Sequence, residues 1–109
     1  MDKMSILRRF RYFQTVTAGA IATTTVSNPS VVVTVNMAAA TGVQTIVLPS
    51  SNNYVGEECN VRVIGAVAVQ TVVVQSPAGT TIDTFAASTN GARSYVFNGT
   101  AYQSSGTPA

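Results

Sequence analysis

The sequence predicts an all-β fold: a small antiparallel β-sandwich or barrel of about seven or eight short strands behind an extended N-terminal arm. Three observations predict it. From Gln14 onward Val, Thr, Ala and Ser dominate, and the β-branched residues among them suit a pleated, half-buried backbone. Clusters of Gly, Pro, Asn and Ser interrupt that run at short intervals. Near the C-terminus, Asn98-Gly99 separates two aromatic-containing β runs, the pattern of a type I′ hairpin.

The elements follow in order. Residues 1–14 read as a basic and aromatic arm, 15–103 as the β-domain and 104–109 as a flexible tail. Thr15 to Val26 is strand-like, holds Gly19 and ends at the turn Ser27-Asn28-Pro29-Ser30. Val31 to Asn36 is a short apolar core strand. Met37-Ala38-Ala39-Ala40-Thr41-Gly42 is too short for an independent helix and reads as a connection. Val43 to Leu48 alternates, with Val43, Thr45 and Val47 on one face and Gln44, Ile46 and Leu48 on the other; Pro49 ends it. After loop chemistry from Ser50 to Gly56, two strands are expected at Cys59 to Ile64 and Val67 to Gln75, split by Gly65-Ala66. In the first, Val61 and Val63 oppose Arg62. Ser76-Pro77-Ala78-Gly79 turns into a strand at Thr80 to Asp83, and Ser88-Thr89-Asn90-Gly91 turns into the closing hairpin, Ser94 to Phe97 and Thr100 to Gln103.

Composition bounds the function. A chain of 109 residues encloses one modest core. Only 9% of its residues are charged, against roughly a quarter in an ordinary soluble domain, so self-association is expected. Four of the six bases, Lys3, Arg8, Arg9 and Arg11, lie in the first eleven residues and face a single acid there, Asp2, giving that segment +3. From residue 15 on, Arg62 and Arg93 stand against Glu57, Glu58 and Asp83, a net −1. The basic start followed by Ala18-Gly19-Ala20 superficially suggests a signal peptide, but Arg11, Gln14, Thr15 and Thr17 break the required apolar run. No stretch approaches the roughly eighteen apolar residues of a membrane-spanning helix.

Catalytic chemistry finds little material. There is no histidine and a single cysteine, Cys59, so metal constellations, a Ser-His pair and an intrachain disulfide have no residues to draw on. Cys59 reads as a small, partly buried hydrophobe. Glu57 and Glu58, adjacent on an extended chain, point to opposite sides and do not form an acid and base pair; they and Asp83 read as solvated loop carboxylates. Asn98-Gly99-Thr100 fits a glycosylation acceptor, but the hairpin accounts for it. No enzyme activity, cofactor or metal is expected.

The arm, Lys3, Arg8, Arg9, Phe10, Arg11, Tyr12 and Phe13, is the candidate partner-binding segment. Arginine beside aromatic rings suits a protein interface. It also suits phosphate contacts with base stacking, although the body adds almost no further positive charge. As a membrane-surface helix it is short and poorly amphipathic, and a solvated terminus is the bland alternative.

Several segments together resemble the small β-domains of bacteriophage virion-surface proteins. These are Thr45-Ile46-Val47-Leu48-Pro49, then Gly56 with Asn60-Val61-Arg62-Val63, then Val72 to Asp83 ending in Gly79-Thr80-Thr81-Ile82-Asp83, and Tyr95 to Tyr102. The resemblance covers residues 31–103 and implies a homotrimeric all-β module on a virion, made in the host cytoplasm. A fibre or tail protein is expected to be longer, with a shaft. The size of this chain therefore points to an auxiliary capsid decoration or cement protein whose body trimerises on the shell and whose arm docks on the major capsid protein. A head-fibre or tail-fibre adaptor and a small nucleic-acid-binding protein are the alternatives.

Overall fold

A computed structural model describes residues 12–26, 31–49 and 56–105. Among them are nine strands and no helix: β1 (Tyr12–Thr17), β2 (Ala22–Thr25), β3 (Val31–Asn36), β4 (Gln44–Val47), β5 (Glu58–Ile64), β6 (Val72–Gln75), β7 (Thr81–Phe85), β8 (Gly91–Phe97) and β9 (Tyr102–Ser105). They form a five-stranded sheet, in the order β1-β3-β5-β8-β9, and a four-stranded sheet, in the order β2-β4-β6-β7. The all-β expectation holds. The sheets are open rather than closed into a barrel, and they are not purely antiparallel.

The departure has a simple cause in the chain path. From β1 to β6 successive strands alternate between the two sheets, so each strand lies beside the one two earlier and runs parallel to it. β1 pairs with β3, β3 with β5, β2 with β4, and β4 with β6, all parallel. The first six strands thus wind as three stacked coils. After the turn at Ser76–Thr80, where the Ser76 amide donates to the Thr80 carbonyl at 2.8 Å, the path reverses. β7 returns antiparallel to β6, β8 antiparallel to β5, and β9 closes a hairpin on β8.

Alternation fixes what each strand buries. In β3, Val31, Val33 and Val35 are buried and the residues between them are not. In β5, Cys59, Val61 and Val63 are buried while Arg62 is exposed, as the pattern predicts. In β4 and beyond, Gln44, Ile46 and Leu48 face inward. The register stacks these residues coil on coil, Val33 beside Val61, Val35 beside Val63 and Ile46 beside Val74. Each fully buried valine contributes about 2 kcal/mol, and the ladders also fix the register, because a one-residue slip would turn every apolar side chain outward.

Three local expectations need correction. β6 is only Val72–Gln75; Val67 to Thr71 carries the chain from one sheet to the other, and Val69 is 76% exposed. The strand before the closing hairpin already begins at Gly91, immediately after the turn. The hairpin stands, but not as a two-residue type I′ turn: Phe97 pairs with Tyr102, leaving a four-residue loop from Asn98 to Ala101. Type I′ needs positive φ at both central residues, and here Gly99 has φ 103° while Asn98 does not share that conformation. The Asn98 side chain accepts instead from the Thr100 and Ala101 amides, each at 2.9 Å.

The corners between sheets are tied by backbone bonds. The Thr41 and Gly42 amides both donate to the Gly19 carbonyl, at 2.7 and 3.1 Å, stacking the second coil's corner on the first. Gln44, buried among apolar residues, donates its amide to the Ala20 and Gly42 carbonyls. A buried amide with its donors satisfied is tolerated in a core that would otherwise penalise it.

Candidate functional site

Two places in the molecule concentrate features beyond plain packing. The first is the start of the chain. Of the sequence-predicted partner-binding residues, Lys3, Arg8, Arg9, Phe10 and Arg11 lie outside the described residues. Tyr12 and Phe13 open β1, so the last part of the expected arm belongs to a strand paired with β3. Phe13 is 80% exposed. Along β1, Phe13, Thr15 and Thr17 face solvent, whereas Ala18 just beyond is buried and Val16 packs on the core. Ile21, at the first corner, is 77% exposed. Sequence reading singled out Phe13 but missed Ile21, whose only signal is an isolated large apolar residue amid Ala and Thr.

The second lies inside the sandwich, at its antiparallel end. Asp83 aligns with Val74 and Arg93 with Val61, so both occupy inward positions that elsewhere hold valine. Asp83 is therefore not the solvated loop carboxylate expected from sequence. Its Oδ2 accepts from Arg93 Nη1 and, at 3.0 Å, from the Tyr95 hydroxyl; its Oδ1 accepts from the Thr84 amide at 2.9 Å. β7 belongs to one sheet and β8 to the other, so this cluster ties the sheets together. Glu57 and Glu58 are half-buried, and Glu58 opens β5, again unlike solvated loop residues.

A small cavity of about 160 Å³ adjoins the cluster, lined by Asp83, Thr84, Phe85, Ala86, Thr89 and Arg93. The buried Arg93 Nε is without a hydrogen-bond partner. Tyr95 is fully buried. Burial first, and then the hydrogen bond and charge of Asp83, push its phenol well above the ordinary value of 10.0. Both oxygens of Asp83 are engaged within the fold, so the arrangement locks the sheets together and holds a neutral tyrosine. Among the described residues, no three metal-ligating side chains come together. Cys59 is buried in the core opposite Tyr95.

This cluster makes alkaline stability a test of its geometry. Below pH 10 both folded and unfolded states keep the phenol protonated; above it only the unfolded state loses the proton. Stability is therefore expected to fall above about pH 10, with Tyr95 accounting for about 1.4 kcal/mol per pH unit. Denaturation at a series of alkaline pH values checks this, and Tyr95→Phe should flatten the decline.

At the same end, the Tyr102 hydroxyl donates to the Pro49 carbonyl at 2.9 Å, and its ring packs on Phe97 with centroids 5.4 Å apart. This closing hairpin was visible in the sequence; the reach of Tyr102 to the end of the second coil was not. No protein-family model matches the chain, and no curated protein matches it.

Proposed function

We propose that the chain is a non-enzymatic structural protein of a bacteriophage virion. In this reading it is an auxiliary capsid decoration or cement protein, made in the host cytoplasm, whose β body associates as a homotrimer. Its leading segment, Lys3, Arg8, Arg9, Phe10, Arg11, Tyr12 and Phe13, docks on the major capsid protein. One observation carries the reading: the concentrated positive charge of the first residues runs directly into β1, where Phe13 is 80% exposed. An aromatic anchor beside arginines is a recognised hot-spot composition, and the guanidinium groups pair with carboxylates or carbonyls of the partner. Contacts made only on the assembled shell would stabilise that shell by linkage. The net −1 of the body weighs against nucleic acid as the partner.

A head-fibre or tail-fibre adaptor is the second reading, and the coil architecture favours it, since stacked coils with an open end extend readily along one axis. Copy number separates the two: many copies per particle for a decoration protein, few for an adaptor. The principal test is the triple variant Arg8→Ala/Arg9→Ala/Arg11→Ala, assayed by co-sedimentation with virions of the phage that encodes the chain. It should lose binding by at least tenfold and keep the wild-type thermal midpoint. Unchanged binding, or virions that do not contain the chain, would overturn the reading.

A further inference from the structure

Among the described residues, the first coil leaves two sheet edges open at the same end of the molecule. β1 is the terminal strand of one sheet and β2 of the other. The Ala18 amide donates to Asn36, the Ala22 amide to Val43 and the Val26 amide to Val47. Backbone groups alternate in direction along a strand. The even-numbered residues of this coil therefore bond inward to β3 and β4, and Phe13, Thr15, Thr17, Thr23 and Thr25 turn their N–H and C=O groups to the open side.

Natural proteins guard such edges with lysine, proline, bulges or inward charges. At the opposite end one of the two edge strands, β7, has such guards: it carries the inward-facing Asp83, and its ladder with β6 is irregular at Val74 and Gln75. The first coil has none. From Tyr12 to Val26 there is no charged residue and no proline, and the exposed Phe13 and Ile21 add apolar surface.

We propose that this open end pairs with the same end of a second copy of the chain across a twofold axis, β1 against β1 and β2 against β2, both antiparallel. A twofold axis perpendicular to the sheets continues both sheets at once and satisfies both rows of backbone groups. The segment is uncharged, so a self-complementary contact sets no charge against its own image. Antiparallel pairing also starts the two basic leading segments at opposite ends of the β1 pair, about 20 Å apart for six residues, well beyond the Debye length of about 8 Å. The chain's own leading residues fit the edge less well. Folding back requires a tight turn just before Tyr12, and Ile6 to Arg11 contains no Gly, Pro, Asn or Asp. It would also lay three arginines along an uncharged edge.

The inference is independent of the virion reading: a twofold contact joins two free chains, or two trimers, alike. The mass of the full chain, of 11.3 kDa, is read by light scattering at high micromolar concentration. An even multiple, a dimer or a hexamer, is expected; a monomer or a plain trimer overturns the proposal, the latter without touching the proposed function. Thr15→Pro/Thr23→Pro removes two outward amides and no bond within the chain, and should halve the mass at unchanged circular dichroism. Should that variant fail to fold, Thr15→Lys/Thr23→Lys sets like charges near the axis and should halve the mass as well; an unchanged mass in a folded variant overturns the proposal. Hydrogen exchange on the wild type gives a reading without mutation: the Phe13, Thr15 and Thr17 amides are expected to be protected and to lose protection on dilution, whereas rapid exchange at all concentrations overturns it.

Discussion

Replacing Gly42 with alanine is expected to destabilise the fold by about 3 kcal/mol or more, a large share of the roughly 5–15 kcal/mol that holds a domain of this size. A Cβ at this position would stand 2.2 Å from the Ile21 amide nitrogen and 2.6 Å from its Cα. Both are backbone atoms, so no rotamer change relieves the overlap; the second corner would have to lift off the first. That movement would break the Thr41 and Gly42 bonds to Gly19 and strip Gln44 of its Ala20 carbonyl partner. Gly19→Ala is the control, since its Cβ would meet nothing within 4 Å and its φ is not positive. It should be neutral or slightly stabilising, because alanine narrows the unfolded ensemble. Denaturant midpoints of the two variants decide the matter: equal midpoints would show that the corners do not stack this closely.

Removal of the Asp83 carboxylate is the second large effect. Asp83→Ala would leave the Arg93 guanidinium and the Tyr95 hydroxyl without their common acceptor between two sheets, an expected loss of about 3–5 kcal/mol. Replacing both charges, as Asp83→Leu/Arg93→Met, should cost much less, because no uncompensated charge remains. Urea denaturation of Asp83→Leu, Arg93→Met and the double variant forms a cycle. A strictly additive double variant would mean that the two charges act independently and that the link between sheets is incidental.

How far these features were legible follows from which interactions are local. Period-two alternation grouped Gln44, Ile46 and Leu48 on one face, without saying that it was the inner one, and split Arg62 from Val61 and Val63, because a strand's two faces are written in adjacent residues. The same alternation serves parallel and antiparallel neighbours equally, so it could not reveal that β3 lies between β1 and β5. Nor did a repeat advertise the coils: Tyr12 aligns with Val31 and Val32 with Asn60, across connections of different length. Val67 to Thr71 read as strand because its composition is β-like, whereas its task is to cross between sheets. At the candidate sites, Phe13 stood out in the sequence as a ring beside arginines, while its exposure follows from its place on the outer face of β1. Asp83 and Arg93 are the last two charges in the chain and of opposite sign, but their meeting depends on a cross-sheet approach that no local pattern encodes.

The pairing of β5 with β8 has a consequence for biosynthesis. A ribosome releases the three coils first, yet β5 has its second neighbour only after the chain has turned back through β7. Until then the growing polypeptide presents an unsealed apolar ladder, Cys59, Val61 and Val63, with the Tyr95 ring still to arrive. Nascent protein of this design passes through an adhesive interval between the emergence of β6 and that of β8, whose arrival turns a sticky precursor into a sealed sheet.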